Sequence, residues 1–184
     1  MVMYFTAVVL PPALNEQVLK LKKWAHEHWG CKVGLKSPAH ITLLPPFWMD
    51  ENLQNSLVQD MENLYRTQSS FEISTANFSA FKPRTIFIDV VVDDQLQQLK
   101  TTTDLFFKEQ PQYGAKIDTR PFHPHITIAT RDLRKSAFAE AWPQVAHQTF
   151  KETFLAQGVS LLRHNGQLWQ VVHTALFGAT QPAP

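Results

Sequence analysis

Two histidine–threonine pairs with matched spacing are the residues of this chain best suited to chemistry. A His-Ile-Thr-Leu segment begins at His40 and a His-Ile-Thr-Ile segment begins at His125. In an extended chain, residues i and i+2 point to the same face, so each segment presents an imidazole beside a hydroxyl. Histidine can accept or donate a proton near neutral pH, and a threonine hydroxyl can donate a hydrogen bond. Two facing pairs therefore predict two proton-transfer groups and two donors around one small anion.

A third segment with the same spacing shows that the motif means little by itself. His147 and Thr149 repeat the pattern within a polar stretch, and a three-residue pattern recurs by chance. The other two segments follow Pro38 and Pro124 closely and continue into apolar runs that are typical of buried strands. The alternative is that both strand histidines are ordinary core residues, but their matched surroundings favour one composite site.

The elements that must position these pairs form a repeated order, and its first copy precedes residue 82. Residues 4–10 predict a strand, and the apolar spacing in residues 15–29 predicts a helix. Asn15 is the expected N-cap of this helix, and Gly30 is its expected end. The strand that carries His40 follows.

The second copy has the same order. Residues 85–92 are rich in β-branched side chains and predict a strand. Asp93 or Asp94 is expected to cap a helix that runs through Phe106. The strand that carries His125 follows after a loop, so the sequence predicts an internal duplication.

After each histidine strand the pattern predicts a helix and then further strands. These segments are helices at 51–65 and 133–145 and strands at 71–81, 150–162 and 168–177. A doubly wound parallel sheet would need a glycine-rich phosphate loop to support it, and none is present. We predict one α+β domain over residues 1–184, duplicated, bilobal and pseudo-symmetric, with two largely antiparallel sheets facing a central cleft and helices outside. The half-repeats cover about 1–82 and 83–180 and join at 82–84, and residues 180–184 are expected to be disordered.

The composition indicates a globular, soluble protein. The chain has 184 residues, of which 44% are hydrophobic and 18% charged, with a formal net charge of +1. That charge gives no general attraction to nucleic acid, so a small or terminal substrate fits better than a long duplex. Residues 1–10 lack the basic leader of a signal peptide, and no apolar run reaches the ~20 residues that span a membrane. We expect a cytoplasmic protein without membrane contact.

The cysteine and histidine spacings do not predict a metal centre. Cys31 is the single cysteine, which excludes an internal disulfide and a cysteine cluster, and we expect it to be a buried apolar residue. His26 and His28 lie in the predicted helix, where residues i and i+2 point apart. His123 and His125 share a strand face, but proline separates them and no carboxylate is adjacent. We therefore expect neither a metal nor a cofactor.

Together the two motifs and their flanks resemble the two-histidine (2H) phosphoesterase superfamily. Within it, residues 38–47 and 122–129 are similar to the branch of 2′-5′ RNA ligases and cyclic phosphodiesterases. The resemblance covers nearly the whole chain. It implies a bilobal fold whose lobes each contribute a histidine and a threonine to the cleft. It also implies phosphodiester chemistry on 2′,3′-cyclic phosphates or 2′-5′ linkages without a metal.

The resemblance assigns a role to each member of the pairs. His40 and His125 become the acid and base, while Thr42 and Thr127 hold the phosphate. The residues fit this chemistry independently, because opening a cyclic phosphodiester needs one group to deprotonate water and another to protonate the leaving oxygen. The symmetry does not distinguish the two histidines; we take His125 as the base and His40 as the acid.

Four further residues are candidate substrate contacts. Arg131 follows the second motif and could hold phosphate with its guanidinium fork. Phe47, Phe122 and Tyr113 flank the motifs and could stack on a base, although large rings are also common in cores. The expected partner is a nucleotide or an RNA terminus. A competing hypothesis is a non-catalytic module that binds a nucleotide or RNA end in a similar cleft, although binding alone does not require two titratable groups.

Overall fold

The computed structural model describes residues 1–178, which form eight strands and four helices. The strands are Val2–Val9 (β1), His40–Met49 (β2), Phe71–Phe81 (β3), Thr85–Val90 (β4), His125–Ala129 (β5), Thr153–Ala156 (β6), Gly158–His164 (β7) and Trp169–Leu176 (β8). The helices are Pro12–Trp29 (α1), Gln54–Tyr65 (α2), Asp94–Glu109 (α3) and Lys135–Val145 (α4). The segment predicted to be disordered, 180–184, lies outside the described residues.

The strands form two four-stranded antiparallel sheets. The first has the order β2-β1-β7-β8 and the second has the order β5-β4-β3-β6. The histidine strands β2 and β5 are edge strands, and they contact each other. Helix α1 contacts β5 and helix α3 contacts β2, so each helix reaches the histidine strand of the other half. The predicted α+β fold with two antiparallel sheets is confirmed.

The two sheets do not coincide with the two halves of the sequence. Strand β3 precedes residue 82 but lies in the second sheet, whereas β7 and β8 come from the second half and lie in the first sheet. Residues 82–84, the predicted junction of the half-repeats, form the turn that joins β3 to β4 within one sheet. The single strand predicted at 150–162 is also divided, because β6 pairs with β3 whereas β7 pairs with β1.

Helix α1 begins three residues before its predicted cap. Pro12 occupies its first turn, where the missing N–H of proline costs nothing and its fixed φ suits a helix. Asn15 is therefore not the N-cap; its Oδ1 accepts a hydrogen bond of 2.7 Å from the backbone N–H of Ala39. Gly30 ends the helix with φ of 71°, as predicted. Asn15 instead braces the residue directly before β2.

Helix α3 begins as predicted. The Asp93 carboxylate accepts a hydrogen bond of 2.7 Å from the backbone N–H of Leu96, which satisfies one of the free donors of the first turn. Cys31 is buried, as expected. Within residues 1–178, no helix is long and apolar enough to span a membrane.

Candidate active site

The adjoining histidine strands place the predicted phosphate-handling residues around one cleft. His40 and Thr127 line a cavity of about 340 Å³, and His125 lines a neighbouring cavity of about 550 Å³. Thr42 and Arg131 line both cavities, so the two adjoin and together form one cleft. The residues come from opposite sheets.

Each histidine ring is held by the same backbone hydrogen bond. Nδ1 of His40 lies 2.7 Å from the carbonyl oxygen of Pro38, and Nδ1 of His125 lies 2.8 Å from the carbonyl oxygen of His123. Because a carbonyl only accepts, each Nδ1 must carry its proton and donate it. In the neutral ring, Nε2 then keeps its lone pair and is available for proton transfer.

A phenylalanine supports each ring from the neighbouring strand. The ring centroids of Phe5 and His40 are 4.8 Å apart, and those of Phe87 and His125 are 4.9 Å apart. Phe5 lies on β1 and Phe87 on β4, the strands that pair with β2 and β5. The backbone bond and the aromatic contact together fix the position of each imidazole.

Burial, helped by nearby positive charges, keeps His40 neutral. Burial lowers its pKa to about 4, although the hydrogen bond to Pro38 acts in the opposite direction. The positive charges of Lys22 and of protonated His125 lower the pKa further. At neutral pH the ring is therefore uncharged, with its one proton on Nδ1 and a free lone pair on Nε2.

His125 has more favourable surroundings for a proton. Burial and the charge of protonated His123 lower its pKa, while the bond to the His123 carbonyl and the negative charge of Asp89 act in the opposite direction, so the pKa stays below its ordinary value. Asp89 lies directly opposite His125 in the pairing of β4 with β5. The corresponding position opposite His40 is Val9, which carries no charge. The cleft thus contains two similarly held rings with different electrostatic surroundings.

Arg131 follows β5 in a strained conformation. Its φ is 36°, a left-handed value that costs a non-glycine residue about 1–3 kcal/mol. The next residue, Asp132, accepts hydrogen bonds from the backbone N–H groups of Lys32 and Val33 at 2.6 and 2.9 Å. This anchor ties the turn after β5 to the segment that follows α1. The exposed Arg131 side chain is thereby kept where the two cavities meet.

Of the three aromatic residues predicted to contact substrate, only Phe122 lies in the cleft. It is half-buried and lines the larger cavity, with Nζ of Lys100 5.7 Å from the centre of its ring. Phe47 and Tyr113 are only 4% and 1% exposed and belong to the core. Phe47 lies seven positions after His40 in the same strand, so alternation turns it to the opposite face. The hydroxyl of Tyr113 donates to Asp60 at 2.6 Å.

Sequence reasoning missed several cleft residues. Trp169 and His164 line the smaller cavity from β8 and β7, and the Trp169 ring packs edge-on against Phe5 and His164 at 4.7 and 4.9 Å. Nothing in the local sequence connects these residues with a motif more than 120 positions earlier. Lys22 also lines this cavity. It carried a readable signal, because it lies four positions after Val18 on the apolar stripe of α1.

The remaining histidines lie apart from the paired rings or have other partners. His147 is exposed in the turn after α4. Nε2 of His123 lies 3.1 Å from Asp89 Oδ1, so the expectation that no carboxylate is near His123 is wrong; the carboxylate comes from β4. Among residues 1–178, no group of three or more His, Cys, Asp or Glu side chains is arranged to hold a metal ion.

The sequence is similar to those of known phosphoesterases and of the 2′-5′ RNA ligase superfamily. A family model described as the 2′-5′ RNA ligase superfamily matches residues 10–168. An RNA 2′,3′-cyclic phosphodiesterase of Bacillus subtilis is 25% identical over 181 residues, which cover 91% of this chain and 87% of that protein.

Solved structures share the fold over nearly the full chain. A protein of Thermus thermophilus superposes with a TM-score of 0.69 at 19% identity, over 97% of this chain and 100% of its own. Escherichia coli LigT in complex with 3′-AMP superposes with a TM-score of 0.62 at 16% identity, over 97% of this chain and 99% of its own. At these identities the likeness concerns the fold.

Proposed function

The chain belongs to the 2′-5′ RNA ligase superfamily, and from this membership we propose that it hydrolyses 2′,3′-cyclic phosphates or 2′-5′ linkages of nucleotides and RNA ends by paired-histidine catalysis without a metal. The two-histidine type of phosphoesterase predicted from the sequence agrees with this family. One observation carries the proposal: His40 and His125 face one cleft, and each is held by the carbonyl two residues earlier. Each is also followed two positions later by a threonine.

The reaction on a cyclic phosphate needs two proton transfers. One imidazole takes a proton from water through Nε2 while the water oxygen forms a bond to phosphorus. The bond from phosphorus to one ribose oxygen breaks, and the second imidazole donates a proton to that oxygen. The products are a phosphomonoester and a free ribose hydroxyl, and exchange with solvent restores both rings. Cleavage of a 2′-5′ linkage would require the same two transfers.

The surroundings of the rings favour His40 as the base and His125 as the acid. This reverses the sequence-based assignment. A base must be unprotonated at working pH, which agrees with the lowered pKa of about 4 for His40. An acid must carry a proton. Burial lowers the pKa of His125 as well, but the hydrogen bond to the His123 carbonyl and the negative charge of Asp89 oppose that lowering, so His125 holds a proton more readily than His40.

The phosphate would be held by side chains that line the cleft together with the two rings. The hydroxyls of Thr42 and Thr127 can donate to the two non-bridging oxygens, where charge accumulates in the transition state. Arg131 lines both cavities and could reach the same oxygens with a bidentate fork.

Aromatic side chains flank this phosphate position on both sides. Phe122 lines the larger cavity and Trp169 lines the smaller one. Either ring could stack on a base, a contact that does not depend on base identity. The LigT complex with 3′-AMP supports a nucleotide as the ligand class. We therefore propose a nucleotide or an RNA terminus as the substrate.

The decisive experiment is hydrolysis in the presence of EDTA. Purified protein is offered 2′,3′-cyclic nucleotides, RNA ending in a cyclic phosphate and a 2′-5′-linked dinucleotide. We expect turnover that persists in EDTA and falls by about 10²–10⁴ in His40→Ala and in His125→Ala, the usual contribution of a general acid or base. Loss of turnover in EDTA with recovery on adding a metal would contradict the metal-free mechanism.

His147→Ala is the matched control, because His147 has the same motif spacing but is exposed in the turn after α4. Full activity in either cleft variant would exclude paired-histidine catalysis. Tight nucleotide binding without turnover in the wild-type protein would select the non-catalytic binding module instead.

A further inference from the structure

A lysine occupies a core position of helix α1. The buried residues of this helix are Leu14, Val18, Lys22 and Ala25, and Lys22 is only 3% exposed. An ammonium group is rarely buried unless it is paired, because leaving water is costly for a charge. The buried position of Lys22 therefore requires an explanation.

The structure gives Lys22 one neutral partner. Its Nζ donates a hydrogen bond of 3.0 Å to the backbone carbonyl of Ser37. Within residues 1–178 no carboxylate lies within 4.0 Å of this Nζ, since the ion pairs found there involve other side chains. An ammonium group has three donors, so two remain for another ligand.

The lysine is buried against protein but faces the cleft. It lines the 340 Å³ cavity together with His40, Thr42, Thr127 and Arg131. The stem passes over Gly34, where a Cβ atom would lie 3.7 Å from Cγ of Lys22 but only 2.4 Å from a β5 carbonyl oxygen. The glycine thus allows its segment to lie close against β5, and the lysine stem packs beside it at an ordinary contact distance.

The charge of Lys22 is present at neutral pH. Burial lowers its pKa to about 8, so the ammonium form still predominates at pH 7. Its positive charge lowers the pKa of His40, which lines the same cavity.

The second half contains a similar lysine that is neutralised. Lys100 lies on the buried face of α3, lines the larger cavity and forms an ion pair with Asp104, four positions further along the helix. The residue four positions after Lys22 is His26, which cannot supply a negative charge. One buried cation therefore has its counter-charge within the chain and the other does not.

We propose that Lys22 is a phosphate-binding residue of the cleft, and that a phosphoryl oxygen of the substrate or product supplies its missing counter-charge. The inference rests on the proposed function, since it concerns the same site. Lys22 would contact the phosphate from helix α1, and Arg131 from the turn after β5. The cleft would then favour a doubly charged phosphate group.

Binding of inorganic phosphate tests this without requiring turnover. We expect calorimetry at pH 7 to give phosphate affinity about 10-fold or more weaker in Lys22→Met, the usual loss for a hydrogen bond to a charged group. Lys23→Met is the matched control, because Lys23 is exposed on the same helix, and it should keep the wild-type affinity. Lys22→Met should also unfold at a temperature no lower than the wild type, since methionine removes an unpaired buried charge.

Two measurements separate phosphate binding from a structural role through Ser37. Lys22→Gln keeps a donor without the charge, so wild-type phosphate affinity in this variant would overturn the proposal. In the wild-type protein, phosphate should slow modification of Lys22 by an amine reagent, read by peptide mass spectrometry, while Lys23 reacts unchanged. Equal modification with and without phosphate would also overturn it. Either result can be obtained even if cyclic nucleotides prove not to be substrates, so the two proposals fail separately.

Discussion

The two sides of the cleft share one geometry and differ in charge. His40 and His125 are both held through Nδ1 by the carbonyl two residues earlier, and both pack against a phenylalanine. Opposite His40 lies Val9, whereas Asp89 lies opposite His125. The two histidines therefore have equivalent supports, while the residue opposite each ring differs in charge.

The two buried lysines likewise have similar positions but different charged neighbours. Lys22 and Lys100 lie on corresponding helices and line adjoining cavities. Asp104 neutralises Lys100, but within residues 1–178 no carboxylate pairs with Lys22. This difference in charge agrees with the roles proposed above, which are phosphate binding by Lys22, proton acceptance by His40 and proton donation by His125.

The largest expected effect concerns the leaving group. A p-nitrophenyl ester of a nucleotide releases p-nitrophenolate, which is a stable anion and needs no proton from the enzyme. A cyclic phosphate releases a ribose oxygen that does need one. With the aryl ester, His125→Ala should lose less than about 10-fold in kcat, while His40→Ala should lose about 10²–10⁴ with both substrates, because only the base is still needed. Steady-state kinetics at pH 7 measures this. The reverse pattern would restore His125 as the base.

The next effect is the loss of stability in acid. The folded-state pKa of His40 is about 4 against an ordinary 6.5, so the unfolded chain binds its proton first. This pKa difference contributes fully to the free energy of unfolding above pH 6.5, and the contribution is lost as the pH falls towards 4. The loss amounts to about 2–3 kcal/mol after allowing for partial solvent access to the ring. Urea unfolding of His40→Asn should depend less on pH over this range. His147→Asn should match the wild type, and identical pH dependence in all three proteins would contradict the burial argument.

A smaller effect is expected at the neutralised lysine. Asp104→Asn leaves Lys100 buried without its partner, a change that costs about 3–5 kcal/mol in a fully buried pair and about 1–2 kcal/mol here, because the Asp104 side chain is 24% exposed. Chemical denaturation measures the difference. Glu16→Gln breaks the exposed i,i+4 pair with Lys20 and should change stability by less than about 0.5 kcal/mol. Equal effects at both sites would mean that burial of the Lys100 pair does not matter.

The smallest expected effect is on the pH–rate profile, through the charge of Asp89 beside His125. Asp89→Asn removes the negative charge that raises the pKa of His125, so the alkaline limb of the pH–rate profile should move to lower pH by less than about one unit. The acid limb, set by His40, should stay in place. A shift of the acid limb alone would show that Asp89 acts on the other ring.

Much of the site follows from local sequence. The alternation of β2 places His40 and Thr42 on one face, and the same parity explains why Phe47 lies in the core, so that error could have been avoided. Lys22 is readable in the same way, as a charge on an apolar stripe. The contribution of Trp169 depends on how β8 joins the first sheet, which no local pattern specifies.

The fold was predictable at the level of elements but not of strand exchange. Periodicity identifies β3 and β7 as strands, yet their partners depend on long-range pairing. The N-terminal boundary of α1 was set by Pro12 rather than by the better capping side chain of Asn15, because proline fixes the first helical turn. The internal repeat with bounds near 82 stays a prediction about the sequence, distinct from the arrangement of the sheets.

The exchange of strands has a consequence for any ancestor of half this length. A chain of three strands like β1–β3 would have its histidine on a two-stranded sheet. Its third strand would not pair with the other two. In a pair of such chains, the third strand of each could pair in the sheet of the other. Only such a strand-exchanged pair would bring two imidazoles together. In the present chain the turn at 82–84 joins two segments that exchange strands, since β3 lies in the second sheet and β7 and β8 lie in the first. A cut there should yield fragments that recover a cleft only when mixed.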